Sequence, residues 1–166
     1  MGFDKLGLCK KVLKGIKKAG YEKPTPIQEK SIPLVIEGND VIGASQTGTG
    51  KTAAFVLPIL DKLAKESTQS NQVNTIIIAP TRELAQQICS ELRTFSGKRT
   101  VFVVYGGVSY GPQRKALANG VDILVACPGR LEDLIEQKEL NLEAVKQVVI
   151  DEADRMADMG FMPAVK

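Results

Sequence analysis

The sequence contains no histidine and no tryptophan, and its three cysteines form no Cys-x-x-Cys pair. Without histidine the chain cannot carry a histidine-based catalytic triad. Cys9, Cys89 and Cys127 lie too far apart along the chain to suggest a zinc site. Because disulfide frameworks belong mainly to secreted proteins, isolated cysteines indicate a reducing compartment.

Long apolar runs are also missing. No segment of the 166 residues approaches the roughly 20 apolar residues that a membrane span needs, and no signal-peptide pattern opens the chain. We therefore predict a soluble, cytoplasmic protein without a membrane partner. The length allows one domain with a real core, and 43% hydrophobic with 25% charged residues is typical of a globular protein.

Charge is small overall but uneven. The net charge is +3, yet lysines crowd the N-terminal segment, at Lys5, Lys10, Lys11, Lys14, Lys17, Lys18 and Lys23. Two interpretations stay open: the solvated face of a helix, which is the simpler one, and a footprint for nucleic acid. The net charge alone does not distinguish them.

Apolar strand patterns alternate with helical patterns along the chain. Runs rich in valine and isoleucine predict strands over 40–44, 75–79, 100–105, 121–126 and 147–150. Helices are predicted over 8–19, 26–37, 51–65, 82–95, 112–118 and 129–137, with a polar loop over 67–74. This alternation predicts an α/β fold with a mostly parallel sheet and helices on both faces, and ligands at the carboxyl ends of its strands.

A glycine-rich segment joins the first predicted strand to a helix. It consists of Ser45, Gln46, Thr47, Gly48, Thr49, Gly50, Lys51 and Thr52. Strand, glycine-rich loop, Lys-Thr and helix form the arrangement that cradles nucleotide phosphates with backbone N–H groups. Lys51 would pair with β- and γ-phosphate oxygens, and Thr52 would place a hydroxyl on Mg²⁺. Ser45 departs from the generic pattern, which has glycine there.

Two carboxylates end the last predicted strand. Asp151 and Glu152 follow the apolar run Val148, Val149 and Ile150. Asp151 would hold Mg²⁺, mostly through water, because Mg²⁺ sheds its waters reluctantly. The two motifs together predict a P-loop domain that binds a nucleotide and Mg²⁺, with Lys51, Asp151 and Glu152 as catalytic residues.

Six ordered motifs carry a family resemblance. They are Gly20 to Gln28 (a Q motif), Ser45 to Thr52 (motif I), Pro80 to Ala85 (motif Ia), Gly106-Gly107, Cys127 to Arg130 (motif Ib) and Asp151-Glu152-Ala153-Asp154 (motif II). Over essentially its whole length the chain resembles the N-terminal RecA-like domain of a DEAD-box RNA helicase. The residues around 155–161 are similar to those of bacterial RhlE-type members. We divide the chain into a Q-motif helical preface, 1–37, and a RecA-like ATP-binding domain, 38–166.

The resemblance implies a role for each motif. Gln28 would read the adenine edge, since a carboxamide has the donor and acceptor that complement N7 and N6, and Phe3 would stack on the base. Phe3 packed onto the core is the open alternative, and Lys23 would also contact the nucleotide. Glu152 would position and deprotonate the attacking water, and Asp154 would couple motif II to the next motif.

RNA contacts are implied mainly by the resemblance. They fall on residues just after strands, where backbone amides and guanidinium groups can bind phosphate: Pro80, Thr81, Arg82, Gly106, Gly107, Pro128, Gly129 and Arg130. A salt bridge with a carboxylate is the alternative for Arg82. Cys127 stands where the family has threonine, so a hydroxyl contact to phosphate would be missing or replaced.

The sequence stops before the Ser-Ala-Thr motif that the family carries on its next strand. We therefore expect a truncated fragment of a monomeric parent, with a second RecA-like domain of the same parent chain as its partner. Such a fragment would bind nucleotide but hydrolyse and unwind little. The alternative function class is a P-loop module that uses nucleotide as a switch for a protein partner.

Overall fold

The computed structural model describes residues 2–43, 51–65, 72–95 and 99–152. The chain divides into two compact units, Met1–Gln69 and Ser70–Lys166. We describe each unit by itself.

The first unit is helical. A short 3-10 helix, Phe3–Lys5, is followed by α1 (Lys10–Lys18), α2 (Pro26–Ile36) and α3 (Lys51–Lys65). α3 packs against both α1 and α2. α1 and α2 match the predicted helices closely, and α3 is helical over the whole predicted range 51–65.

A buried aspartate ties α1 to α3. Asp61 lies on the buried face of α3, and its Oδ1 accepts a hydrogen bond from the backbone N–H of Cys9 at 2.6 Å. Cys9 is the N-cap residue of α1, so a side chain of α3 satisfies a donor at the start of α1. Lys65 pairs with Asp61 at 2.8 Å, and this hydrogen bond raises the pKa of the Lys65 ammonium above its usual range.

The strand predicted over 40–44 is wrong for the residues that the structure describes. Residues 40–43 form no strand, and the Ile42 side chain is fully exposed. An apolar run indicates burial but does not supply the pairing partner that makes a strand. Within the described ranges, no backbone ladder includes this run.

The second unit contains a four-stranded parallel sheet. Its strands β1 (Thr75–Ile78), β2 (Val101–Val104), β3 (Ile123–Ala126) and β4 (Gln147–Ile150) lie in the order β2-β3-β1-β4. The helices α4 (Arg82–Phe95), α5 (Tyr110–Asn119) and α6 (Pro128–Glu136) connect them. The central strands β1 and β3 are buried along their whole length, as expected when both faces are covered.

Helices cover both faces of this sheet. α5 and α6 share a core with alternate residues of the strands, in a cluster that includes Ile76, Leu124, Val104, Leu131 and Leu134. α4 packs on β2 and β3, and right-handed crossovers place it on the opposite face. The predicted α/β fold class is confirmed.

One helix begins earlier than its sequence suggests. We predicted a helix over 112–118, but α5 starts at Tyr110. Ser109 caps it by accepting a hydrogen bond from the Gly111 N–H at 3.3 Å. Pro112 lies within the first turn, where its missing N–H would have no intrahelical partner, so it does not mark the boundary.

Among the described residues, no helix is both long enough and apolar enough to cross a membrane.

Candidate functional site

Four of the predicted motifs meet at one edge of the second unit's sheet. In the register of the parallel ladders, Val104, Ala126, Ile78 and Ile150 end their strands side by side. The segments that follow are Gly106-Gly107 after β2, motif Ib after β3, motif Ia after β1 and Asp151-Glu152 after β4. The order along this carboxyl edge therefore runs from the double glycine through motifs Ib and Ia to motif II.

Three glycines expose backbone at this edge. Gly106, Gly107 and Gly129 are exposed, and a Cβ placed on any of them would meet no atom within 4 Å. Gly107 has φ +81°, in the left-handed region that favours glycine. Open space beside these exposed glycines suits the close approach of a phosphate or sugar.

Arg82, the first residue of α4, is exposed and stacks on a tyrosine. Its guanidinium carbon lies 4.5 Å from the centroid of the Tyr105 ring. Gln86 donates to the Tyr105 hydroxyl at 3.2 Å, which holds the ring in turn. Among the described residues, Arg82 makes this cation–π contact and not the salt bridge that was the alternative.

The other residues of motif Ia serve the scaffold. Pro80 is buried. Thr81 precedes α4, and its Oγ1 accepts a hydrogen bond from the Leu84 N–H at 3.2 Å. This is the geometry of a helix N-cap, so the hydroxyl that the motif predicted for RNA stabilises the helix start.

Arg130 is also part of the scaffold, since only 7% of it is exposed. One terminal nitrogen donates to Gln113 Oε1 at 3.0 Å and the other to the Val108 carbonyl at 2.9 Å. Its guanidinium carbon lies 3.8 Å from the centroid of the Tyr110 ring. Arg130 therefore ties α6 to α5 and to the loop that contains the double glycine.

Two neighbours complete this network. Gln113 is buried and donates to the Tyr105 carbonyl at 3.2 Å, so it links the end of β2 to Arg130. The Tyr110 hydroxyl donates to Asp133 at 2.7 Å, a bond that raises the pKa of the phenol above its usual range. Side-chain hydrogen bonds from Gln113 and Arg130 to backbone carbonyls thus fix the loop between β2 and α5.

Cys127 occupies the N-cap position of α6 with φ −88° and ψ 146°, and its side chain makes no capping hydrogen bond. Burial raises the pKa of the half-buried thiol, with a smaller contribution from the carboxylate of Glu83. The thiol is therefore protonated near neutral pH. Pro128, the first residue of α6, is buried as well.

The acidic pair follows β4 directly. Asp151 is 5% exposed, and its N–H donates to the Ile78 carbonyl at 2.9 Å. Glu152 has φ +51°, a left-handed conformation that costs a residue with a Cβ about 1–2 kcal/mol. Its N–H donates to Asp151 Oδ1 at 3.0 Å. The backbone strain falls on the residue predicted to be the base.

In the first unit, Gln28 is 3% exposed and lies in the first turn of α2. Its Oε1 accepts a hydrogen bond from the Thr25 N–H at 3.0 Å. Thr25 is the N-cap residue, so Gln28, the third residue of α2, supplies the glutamine half of a capping box. Phe3 is buried and Lys23 exposed.

Lys51 and Thr52 begin α3 and are half-buried. The remaining predicted phosphate-loop residues, at 45–50, and Asp154 lie outside the described residues. Within the described ranges, no group of three or more histidine, cysteine, aspartate or glutamate side chains could hold a metal ion.

Sequence reasoning missed Tyr105 and Gln113, which hold Arg82 and Arg130 in place. The pattern offered one usable signal for Tyr105, an aromatic residue at the strand end directly before Gly106. It offered none for Gln113, because a single glutamine on a helix reads as solvent-facing. The Thr-x-x-Gln spacing from Thr25 to Gln28 is also a capping-box signature, which the interpretation of Gln28 as a nucleotide contact leaves out.

Known proteins resemble this chain closely. The DEAD-box ATP-dependent RNA helicase 52A of Oryza sativa is 44% identical over 99% of this chain and 30% of its own length. The ATP-dependent RNA helicase CshA of Limosilactobacillus reuteri is 48% identical, over 100% of this chain and 33% of its own length. The chain thus spans about a third of the length of the curated relatives that it matches.

A solved structure agrees. The crystal structure of a DEAD box protein from the hyperthermophile Methanococcus jannaschii superimposes with a TM-score of 0.91 at 39% identity, covering 99% of this chain and 45% of that one. The family model described as DEAD/DEAH box helicase matches residues 25–166. The chain belongs to the DEAD/DEAH box helicase family.

Proposed function

We propose that this chain is the ATP-binding part of an ATP-dependent RNA helicase that unwinds or remodels RNA duplexes. The observation that carries the proposal is the meeting of four family motifs at one sheet edge. The buried Arg130 side chain holds the loop after β2, and the glycines of these segments are exposed. Relatives that are named ATP-dependent RNA helicases support it.

For the nucleotide, Gln28 reads adenine, and the backbone of 45–50 with Lys51 holds the phosphates. The hydrogen bond from Thr25 fixes the Gln28 carboxamide, which supports a role in recognition because a fixed amide presents its donor and acceptor in one direction. Phe3 and Lys23 remain predicted contacts.

Thr52 and Asp151 are the residues that would hold Mg²⁺. A hydroxyl and a buried carboxylate suit this ion, which keeps several waters and takes few protein ligands. Bound there, Mg²⁺ would neutralise charge on the phosphate oxygens.

Glu152 is the residue that orients and deprotonates water. Its left-handed backbone turns the chain sharply after β4, and the bond from its N–H to Asp151 holds that turn. This turn fixes the backbone from which the carboxylate extends, and a general base must lie within hydrogen-bond reach of the water that it deprotonates. Asp154 remains a predicted coupling residue.

For RNA, the exposed amides of Gly106, Gly107 and Gly129 and the guanidinium of Arg82 contact the sugar-phosphate backbone. Backbone contacts carry little sequence preference. Arg130, Thr81, Pro80 and Pro128 act indirectly, by holding these groups in place.

The remaining two thirds of the relatives' length have no counterpart in this chain. We propose that a second RecA-like domain of a monomeric parent supplies the missing catalytic groups, and that the chain alone binds nucleotide but turns it over slowly. The RhlE-type subfamily and a cytoplasmic location stay predictions, as does the division at 37/38.

Calorimetry with two variants of Gln28 tests the nucleotide site. The unmodified chain should bind Mg-ADP roughly tenfold more tightly than Mg-GDP, which is the effect of one or two hydrogen bonds. Gln28→Glu keeps the acceptor for Thr25 and so preserves the capping box, but it cannot donate to adenine N7. It should lose the adenine preference, whereas Gln28→Ala should lose the adenine preference and the capping box together.

Equal ADP and GDP affinity in the unmodified chain would contradict adenine reading. Nucleotide binding that is adenine-specific, without any RNA binding by the chain, would favour the alternative of a nucleotide switch for a protein partner.

A further inference from the structure

The α1 helix carries a stripe of five exposed lysines. Lys10, Lys11, Lys14, Lys17 and Lys18 are all exposed in the structure. At 3.6 residues per turn, their positions fall within about 120° of the helix circumference and extend over about 12 Å along its axis. We call these five residues the lysine stripe.

The opposite face of α1 is already occupied. Val12 and Ile16 are buried in the core of the first unit. An amphipathic helix that binds a membrane must insert its apolar face between lipids. Because that face of α1 packs on protein, the lysine stripe can contact a partner only through its charge.

A merely solvated helix face does not explain this arrangement. α1 has no acidic residue, and Lys14 has a like charge at i−4, i−3, i+3 and i+4, each of which destabilises a helix. Lys10 and Lys11 lie in the first turn, where the helix dipole disfavours cations. In the part of the chain that the structure describes, no carboxylate pairs with any of the five.

We propose that the lysine stripe is an auxiliary binding site for the sugar-phosphate backbone of RNA. A row of phosphates is the partner that removes the mutual repulsion of a linear row of ammonium groups, with release of condensed counterions. This inference rests on the proposed function for the class of polyanion. It adds a contact outside every family motif and within the first unit alone.

The test compares two triple variants of equal charge. Lys10, Lys11 and Lys14 are replaced by glutamine in one, and Lys30, Lys115 and Lys138, exposed lysines elsewhere, in the other. The first set removes cations from the unfavourable end of α1, so it should leave the thermal stability equal or higher. A loss of RNA binding would then not come from unfolding.

Binding of a labelled single-stranded RNA is measured between about 50 and 200 mM salt. The stripe variant should bind roughly tenfold or more weakly, with a log-log salt slope that is smaller by about 2, since each phosphate contact contributes about 0.7. The control variant should stay within about twofold of the unmodified chain if general charge contributes little.

Three results would overturn the inference. Equal losses in the two variants would show only a net-charge effect, and an unchanged stripe variant would show no contact. Binding of the unmodified chain to phosphatidylserine vesicles that the stripe substitutions abolish, with RNA affinity retained, would assign the stripe to a membrane. All three results leave the proposed function intact. If the unmodified chain bound no RNA at all, the proposed function would fail together with the inference.

Discussion

At the scale of single residues, Cys127 shows how one atom changes a helix start. It has the extended backbone of an N-cap residue, but its thiol caps nothing. Cys127→Thr should raise the free energy of unfolding by about 0.5–2 kcal/mol, because a hydroxyl can accept a hydrogen bond from the first turn of α6. Urea denaturation measures this, with Cys127→Val as the matched variant that has the shape of threonine without the hydroxyl.

The same hydroxyl can donate to a phosphate while it accepts from the helix. Cys127→Thr in a full-length parent should therefore also tighten RNA binding, by roughly threefold to tenfold. Equal stability of the threonine and valine variants would contradict the capping argument. Equal RNA affinity would restrict the residue to a structural role.

Replacement of arginine by lysine should change the free energy of unfolding very differently at Arg130 and at Arg82. Arg130→Lys keeps the charge but loses the fork that bonds to Gln113 and Val108. The free energy of unfolding should fall by roughly 2–4 kcal/mol, because two hydrogen bonds to a charged group are lost in a buried site. Arg82→Lys, at an exposed position, should change it by less than about 0.5 kcal/mol. Thermal or urea unfolding of both variants decides whether Arg130 is a scaffold residue.

At the scale of secondary-structure elements, three helices end in the same way, two of them with glycine and one with lysine. α1, α2 and α6 are followed by a residue in the left-handed conformation: Gly20, Gly38 and Lys138. In each case, the pair of backbone hydrogen bonds is that of a Schellman motif, as from Lys138 to Ile135 and from Glu139 to Leu134. Only α6 uses a residue with a Cβ at this position.

Lys138→Gly should therefore raise the free energy of unfolding by about 0.5–1 kcal/mol, because glycine adopts this φ without steric cost. Gly38→Ala is the mirror control and should lower it by a similar amount, since a Cβ there would meet no neighbouring atom and only backbone strain remains. Differential scanning calorimetry measures both. A lower melting temperature for Lys138→Gly would mean that unfolded-state entropy outweighs the strain.

The sequence was a good guide to elements with their own local signals. α3 and α4 are helical over all of their predicted ranges, because apolar periodicity and basic residues in the last turn mark these segments. Strand 40–44 failed because pairing is not local. The roles of Gln113 and Arg130 could not be predicted from the sequence either. These two residues bind each other, but they lie 17 residues apart along the chain and meet only after the sheet has formed.

At the scale of the whole molecule, the parallel register of the sheet brings separate motifs together. Four segments that are spread over residues 80–152 of the sequence begin next to one another because the strands before them end in register. These four motifs of the second unit therefore form one surface rather than separate sites. A second surface on the first unit, the lysine stripe, belongs to none of these motifs.

We have proposed that a second domain supplies catalytic groups for ATP hydrolysis, and this proposal can be tested. The 166-residue chain should bind Mg-ATP but hydrolyse it near the background rate, with or without RNA. Arginine residues supplied from outside a P-loop site raise rates by roughly 10³–10⁵ in related NTPases. Adding the second domain of a relative, fused or in trans, should therefore raise phosphate release by orders of magnitude in a coupled assay.

Glu152→Gln is the matched control for this gain. It keeps the shape of the side chain and can keep the left-handed backbone, but the amide accepts no proton from water. The variant should bind nucleotide as tightly as the unmodified chain and show none of the gain. Rapid RNA-stimulated turnover by the unmodified chain alone would contradict the need for a second domain, whereas full turnover by the glutamine variant would remove Glu152 from the role of base.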